Sequence, residues 1–216
     1  MPYNTSGELD KRIWGPWGGM REGIYLRLLE ERIALEALVT APDILRVDMF
    51  LNHPIDTALL DAMGREFYRL FESERGRITK ILTVEASGIA IACAAAARFN
   101  VPVLFAKKGG SIRTLDSGTW SAVVRSFTRG SLTNISVAKR FLGPEDRVLI
   151  IDDFLAHGAA VRGLREIIAQ AEAQLLGVGV AIEKGFQPGG AQLRAEGIHL
   201  ESLAIVDSME PLKFRE

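Results

Sequence analysis

The run Val148-Leu149-Ile150-Ile151-Asp152-Asp153-Phe154-Leu155-Ala156-His157-Gly158-Ala159-Ala160 constrains this chain more than any other stretch. Its opening apolar residues, 148–151, read as a short, fully buried strand. Two adjacent carboxylates end the strand, a loop of small residues follows, and the pattern predicts a helix over 159–173. A strand apolar on both sides and leading into a helix belongs to an α/β fold, whose sheet is covered on both faces. In such open sheets ligands bind beyond the carboxyl ends of the strands. Residues 152–160 therefore stand where a site is expected.

The same alternation runs through most of the chain. A helix is predicted over 56–71, capped by Asp56 or Thr57. Strands are predicted over 78–84, 101–106, 123–128, 134–138, 175–183 and 198–206, with a helix over 87–99 and a polar, glycine-bearing loop over 107–122. Upstream, Met20 opens an amphipathic stretch in which Ile24, Leu28, Ile33 and Leu35 alternate with Glu30, Glu31, Arg32 and Glu36. Residues 1–19 are rich in Gly, Pro and Trp and show neither period, so they read as an N-terminal extension to a single domain spanning 20–216. The fold class expected is α/β with a mostly parallel sheet flanked by helices.

A chain of 216 residues with 48% hydrophobic content buries a core without disulfides. The single cysteine, Cys93, excludes an intrachain disulfide, and its apolar run, 89–97, predicts a buried, inert thiol. That usage suits a reducing cytosol. A net charge of −1 supplies no global basic field for nucleic acid or an anionic membrane. No apolar stretch approaches the ~20 residues of a membrane helix, and the first residues lack a signal pattern. The chain reads as soluble and cytoplasmic, with no nucleic-acid or membrane partner. The spacing of His53 and His199 suggests no metal cluster, and both read as structural.

The chemistry of the central run is readable residue by residue. Backbone N–H groups in a small-residue loop entering a helix form an anion site, assisted by the helix dipole. Gly158 allows close approach of the backbone to a phosphate. Two adjacent carboxylates beside an anion would be repulsive unless they bind something else. A ribose diol donating hydrogen bonds is one such partner, and a Mg²⁺ travelling with the phosphates is another. Simple helix capping by the pair is a third reading.

Hydrophobic strand, paired acids, two apolar residues and a small-residue loop together resemble the motif that binds phosphoribosyl pyrophosphate (PRPP) in the type I phosphoribosyltransferases. The form Asp152-Asp153-Phe154-Leu155-Ala156-x-Gly158-x-Ala160 resembles the xanthine phosphoribosyltransferases in particular. Further segments resemble that group in the same order. Val47-Asp48-Met49-Phe50-Leu51-Asn52-His53-Pro54-Ile55-Asp56 is similar to its base-binding hood, and the stretch 78–89 to its first core strand and pyrophosphate loop. The stretch 101–108 is similar to the next strand and the start of its mobile catalytic loop, Ile182-Glu183-Lys184-Gly185-Phe186-Gln187 to its later base-site loop, and Glu201-Ser202-Leu203-Ala204 to its last strand. The resemblance implies a hood built from about 40–56 and about 184–210.

It also implies roles. Ala156, His157, Gly158, Ala159 and Ala160 would wrap the 5-phosphate, with His157 standing where the family usually has Asn and Ala159 where it usually has Gln. Ser87 and Gly88 would meet the pyrophosphate. Lys107 and Lys108 would face the departing pyrophosphate, with Arg125 and Arg129 as further anion contacts. Asp152 and Asp153 would hold the ribose hydroxyls. Leu45, Asn52 and Lys184 would contact the base, and Phe154 or Phe186 would stack on it. An ammonium at Lys184 would favour an oxygen-rich purine. Mg²⁺ would be held mainly by PRPP, with Asp152 or Asp153 as the one side-chain contact.

The activity implied is transfer of ribose 5-phosphate from PRPP to xanthine, giving xanthosine 5-monophosphate and pyrophosphate in purine salvage, in a homodimer. Two alternatives follow from the same residues. One is the same transfer to guanine, hypoxanthine or adenine, since small changes in polar contacts switch base choice. The other is a non-catalytic, PRPP-sensing transcription regulator, against which stand the balanced charge and the lack of a helix-turn-helix pattern.

Overall fold

Period-2 alternation explains the centre of the molecule. In the strand containing residues 148–151, Leu149 and Ile151 enter one apolar cluster while Val148 and Ile150 enter a second on the opposite face. All four side chains are fully buried. A sheet covered on both faces results, as the uninterrupted apolar run predicts.

The computed structural model describes residues 24–109, 118–125 and 132–215. Its helices are α1 (Ile24–Glu36), α2 (Thr57–Leu70), α3 (Gly88–Phe99), α4 (Ala159–Gln170) and α5 (Pro188–Ala195). A small antiparallel hairpin pairs β1 (Leu38–Ala41) with β2 (Ile44–Arg46). The main sheet contains β3 (Lys80–Val84), β4 (Val103–Lys108), β5 (Thr119–Arg125), β6 (Leu132–Ala138), β7 (Arg147–Leu155), β8 (Gln174–Lys184), β9 (Leu200–Met209) and β10 (Leu212–Phe214). Its order is β10-β9-β8-β7-β3-β4-β6-β5. The strands from β9 through β4 run parallel, while β10 and the β5–β6 pair are antiparallel additions at the two edges.

Helices α2 and α3 supply Leu59, Met63, Phe67, Ile91, Ala92 and Ala95 to the first cluster. Helix α4 supplies Leu164, Ile167 and Ile168 to the second. Helix α2 starts where the sequence indicates: the Asp56 carboxylate accepts from the N–H groups of Ala58 and Leu59, both at 3.0 Å. The same carboxyl group takes Arg32 at 2.9 Å, tying α1 to α2.

Several expectations need correction. Cys93 is exposed, because α3 turns Ile91, Ala92, Ala95 and Ala96 inward and leaves Cys93 on its outer side. The strand expected over 123–128 is β5, which begins earlier, at Thr119, and pairs with β6 along its length. The strand expected over 148–151 continues to Leu155, since Asp152, Phe154 and Leu155 remain paired with β8. The hairpin β1–β2, the helix α5 and the strand β10 have no counterpart among the predicted elements. The region 1–19, the beginning of the helix predicted from Met20, Arg129 and most of the loop after Lys108 lie outside the described residues. No described helix is long and apolar enough to cross a membrane.

Candidate active site

A cavity of about 470 Å³ opens at the carboxyl end of β7, at the position expected for an open parallel sheet. Its floor and walls include Glu85, Ser87, Lys108, Asp152, Asp153 and Phe154 together with the whole loop from Ala156 to Ala160. Val124, Arg125, Thr133 and Ile135 of the β5–β6 pair form the facing wall. Adjacent strands β3, β4 and β7 deliver the groups, so residues distant in sequence meet because their strands end side by side.

The loop after the acid pair has the form required of an anion cradle. Gly158 adopts φ +76°, a left-handed conformation that favours glycine, and α4 starts directly after it. No side chain caps the first turn of α4, so the helix end offers main-chain donors toward the loop.

The two acids differ. Asp152 is 3% exposed, and its Oδ1 accepts from the backbone N–H of Asp153 at 3.0 Å. Burial pushes the Asp152 carboxyl well above the usual carboxylate range, and the neighbouring charge of Asp153 adds to the rise. Asp153 is half-buried beside the same cavity. The site thus pairs a buried acid, whose protonated form burial favours, with a more exposed one. Thr83, fully buried near the end of β3, has its hydroxyl without a hydrogen-bond partner among the described residues, and Gly88 lies against both that hydroxyl and the Asp152 carboxyl.

Glu85 was not singled out from sequence, yet its carboxylate accepts from the backbone N–H of Lys108 at 2.6 Å. This bond joins the turn after β3 to the end of β4 and sets where the following loop departs. An isolated acid in a loop has no periodicity to mark it; only the pairing of β3 with β4 brings it to Lys108. Thr133 is likewise a site residue by position on β6 alone. Lys107 and Lys108 alternate on β4, and only Lys108 lines the cavity. Lys107 is exposed opposite Ser136 of β6.

The residues expected at a base are more dispersed. The Lys184 ammonium, at the end of β8, lies 5.7 Å from the centroid of the Phe154 ring and donates to the carbonyl of Asp43 in the β1–β2 turn. Burial lowers the pKa of Lys184, and the charge of Asp43 offsets part of that. Leu45 is buried in the first core cluster. Asn52 and Phe186 are exposed, and Phe186 borders a second pocket with Pro42, Asp207 and Met209. Phe154 lines the main cavity and Lys184 stands near its ring, but Lys184, Leu45, Asn52 and Phe186 do not line that cavity.

Glu85, Asp152 and Asp153 border one cavity, but among the described residues no three His, Cys, Asp or Glu groups are placed to cage a metal ion. The donor set fits a Mg²⁺ that keeps phosphate and water ligands and takes one or two carboxylates from the protein. A main-chain loop with free helix-end donors, a pair of acids and a lysine in one cavity have the chemistry to suit a phosphorylated sugar.

Comparison with known proteins agrees with this chemistry. Residues 51–189 match the family model described as "Phosphoribosyl transferase domain". The xanthine phosphoribosyltransferase of Ruminiclostridium cellulolyticum is 54% identical over 185 residues, covering 86% of this chain and 96% of the relative. Those of Latilactobacillus sakei and Lachnoclostridium phytofermentans are 55% and 52% identical, covering 86% and 85% of this chain and 93% of each relative. Among solved structures, the adenine phosphoribosyltransferase of Rhodothermus marinus superposes with a TM-score of 0.69 at 20% identity, covering 86% of this chain and all of that one. The Giardia lamblia enzyme, complexed with 9-deazaadenine, gives 0.67 at 23% identity, covering 82% of this chain and 96% of that one. At those identities the structures establish the shared fold.

Proposed function

The chain belongs to the phosphoribosyltransferase family, and from that premise we propose that it is a xanthine phosphoribosyltransferase, making xanthosine 5-monophosphate and pyrophosphate from xanthine and PRPP. The observation that carries this reading is the meeting of the acid pair, the small-residue loop and Lys108 in one cavity at the end of β7. High identity to relatives named for xanthine supports the choice of base.

The purine nitrogen forms its bond to C1 of the ribose as the bond from C1 to the pyrophosphate oxygen breaks; the electron pair leaves with pyrophosphate, and the proton of the purine N–H passes to pyrophosphate or water. Main-chain N–H groups of 156–160 hold the 5-phosphate. Asp153, with Asp152 behind it, accepts hydrogen bonds from the ribose hydroxyls, fixing C1 relative to the base. Lys108, set in place by Glu85, meets the departing pyrophosphate. Phe154 offers a ring face to the purine and Lys184 donates to a purine carbonyl. Lys107 lies outside the cavity lining and adds positive charge next to Lys108. Asp152 or Asp153 would be the protein contact of a Mg²⁺ held mainly by PRPP, which would supply charge neutralisation for the leaving group.

The domain boundaries follow the same reading: residues 20–216 form one catalytic domain, with the β1–β2 hairpin and the chain from about 184 onward closing over the base. The assembly proposed is a homodimer in the cytoplasm. Product formation from PRPP and Mg²⁺ with xanthine, guanine, hypoxanthine and adenine, each alone, tests the proposal by chromatography. Xanthine should exceed the other bases in kcat/KM. Preference for another base would overturn the assignment of substrate, and PRPP binding without turnover of any base would overturn the assignment as an enzyme.

A further inference from the structure

The loop that carries the anion-binding N–H groups consists mostly of Ala and Gly and has few side chains with which to anchor itself. Its backbone is held from outside by α5. The N–H of Gly189 donates to the carbonyl of Ala156 at 3.0 Å. The approach is so close that a Cβ on Gly189 would lie 2.3 Å from that oxygen, 2.7 Å from the nitrogen of Gly158 and 2.8 Å from the carbonyl carbon of His157.

Helix α5 has only 8 residues, and isolated helices shorter than ~12 residues are marginal in water. Leu193 anchors it in the second core cluster. A fork from the partly exposed Arg194 onto the buried Glu183 fixes its rotation: both terminal nitrogens of Arg194 donate to Glu183 at 2.7 Å. Glu183 is 2% exposed, and its second oxygen also accepts from the Ser202 hydroxyl of β9. Gly190 rides on this pair, with space for a Cβ only 1.9 Å from Glu183 Oε1. Across the sheet Glu183 is the register partner of Leu155, and Lys184 follows it. A partly buried ion pair adds little net stability compared with apolar packing, but its bidentate geometry is directional.

We infer that the Glu183–Arg194 pair is a positioning device: through α5 and Gly189 it sets the backbone of loop 156–160 for the phosphate end of PRPP. This inference rests on the function proposed above. Glu183 and Arg194 touch no substrate in this scheme and act through the loop.

The test uses Arg194→Lys, which keeps the charge and loses the fork, Gly189→Ala, and Ser202→Ala, which removes one hydrogen bond to Glu183. Arg165→Ala, which breaks the solvent-accessible Arg165–Glu196 pair, is the control. Steady-state kinetics in each substrate are combined with melting temperatures and calorimetric titration of ribose 5-phosphate. Arg194→Lys and Gly189→Ala should raise KM for PRPP by about ten- to hundredfold. Ribose 5-phosphate affinity should fall in parallel, KM for xanthine should stay within about twofold, and the control should match the parent. Equal changes in both KM values, or an unchanged KM for PRPP in a folded variant, would overturn the inference. If the first two variants do not fold, Ser202→Ala decides: a KM for PRPP equal to the parent's overturns it. Should the parent enzyme not use xanthine, the substrate assignment fails, but the ribose 5-phosphate titration still tests the clamp.

Discussion

The ammonium of Lys184 donates to the main-chain carbonyl of Asp43, so the end of β8 is tied to the turn between β1 and β2. A group that holds the hairpin closed while lying over the Phe154 ring is suited to exchange that carbonyl for one on a purine. Lys184→Gln should lower kcat/KM for xanthine by about ten- to hundredfold, the range of a hydrogen bond to a charged donor. KM for PRPP should change little. Burial lowers the Lys184 pKa, so its ammonium is present below that lowered value and is lost as pH rises through it. KM for xanthine should therefore rise at an alkaline pH short of the ordinary lysine range. A pH–rate comparison with Lys184→Arg, whose guanidinium does not titrate there, isolates this limb.

Asp152 makes a stability prediction. Burial, then the charge of Asp153, raises its folded-state pKa above the unfolded value. Stability tied to this carboxyl is fully present below the ordinary aspartate range and is lost as pH rises through the raised folded-state value. Asp152→Asn, a neutral isostere, should flatten the decline of melting temperature over that window. Asp153→Asn should lessen that decline only in part, because burial is the larger cause, and should reduce kcat/KM by about ten- to hundredfold through loss of a charged acceptor to the sugar. Thermal scans at a series of pH values, with kinetics, check both halves.

Removal of divalent cations should separate activity from folding. No described group of three metal-ligating side chains is available to make the fold depend on an ion. Chelation should abolish turnover while the melting temperature stays within about a degree, and Mg²⁺ should restore turnover only when PRPP is present to supply the remaining ligands. Differential scanning fluorimetry beside an activity assay reads this directly.

Legibility in the sequence followed the physics of each element. Residues 148–151 announced a central strand because both faces of the sheet are covered, and Asp56 announced the start of α2 because its carboxylate caps it. The rest of β7 was hidden because its continuation carries the two acids, which break the apolar pattern while pairing with β8 continues. Helix α5 was hidden because Gly189 and Gly190 in its first turn are poor helix formers, and it is held by Arg194 instead. The exposure of Cys93 is not legible because a continuous apolar run does not say which side of a helix faces out. At the site, the acid pair and the loop are contiguous and were visible as a motif, while Glu85 and Thr133 reach the cavity only through strand order.

The anion cradle itself is best tested by two glycines with the same backbone and different surroundings. Gly158 has φ +76° in the loop, and Gly76 has φ +75° in the turn before β3. A Cβ on Gly76 would meet nothing within 4 Å, whereas one on Gly158 would come within 3.1 Å of the Arg162 guanidinium, a flexible group able to move aside. Alanine at either position should therefore cost a similar ~1–2 kcal/mol from the left-handed backbone alone, lowering the melting temperature by roughly 2–8 °C. Their kinetics should diverge. Gly76→Ala should retain the parent's KM for PRPP, since it lies outside the residues bordering the cavity. Gly158→Ala should raise that KM at least about tenfold, because the strained residue relaxes by turning N–H groups away from the phosphate. Equal KM values in the two variants, at equal loss of stability, would remove the backbone of 156–160 from phosphate binding.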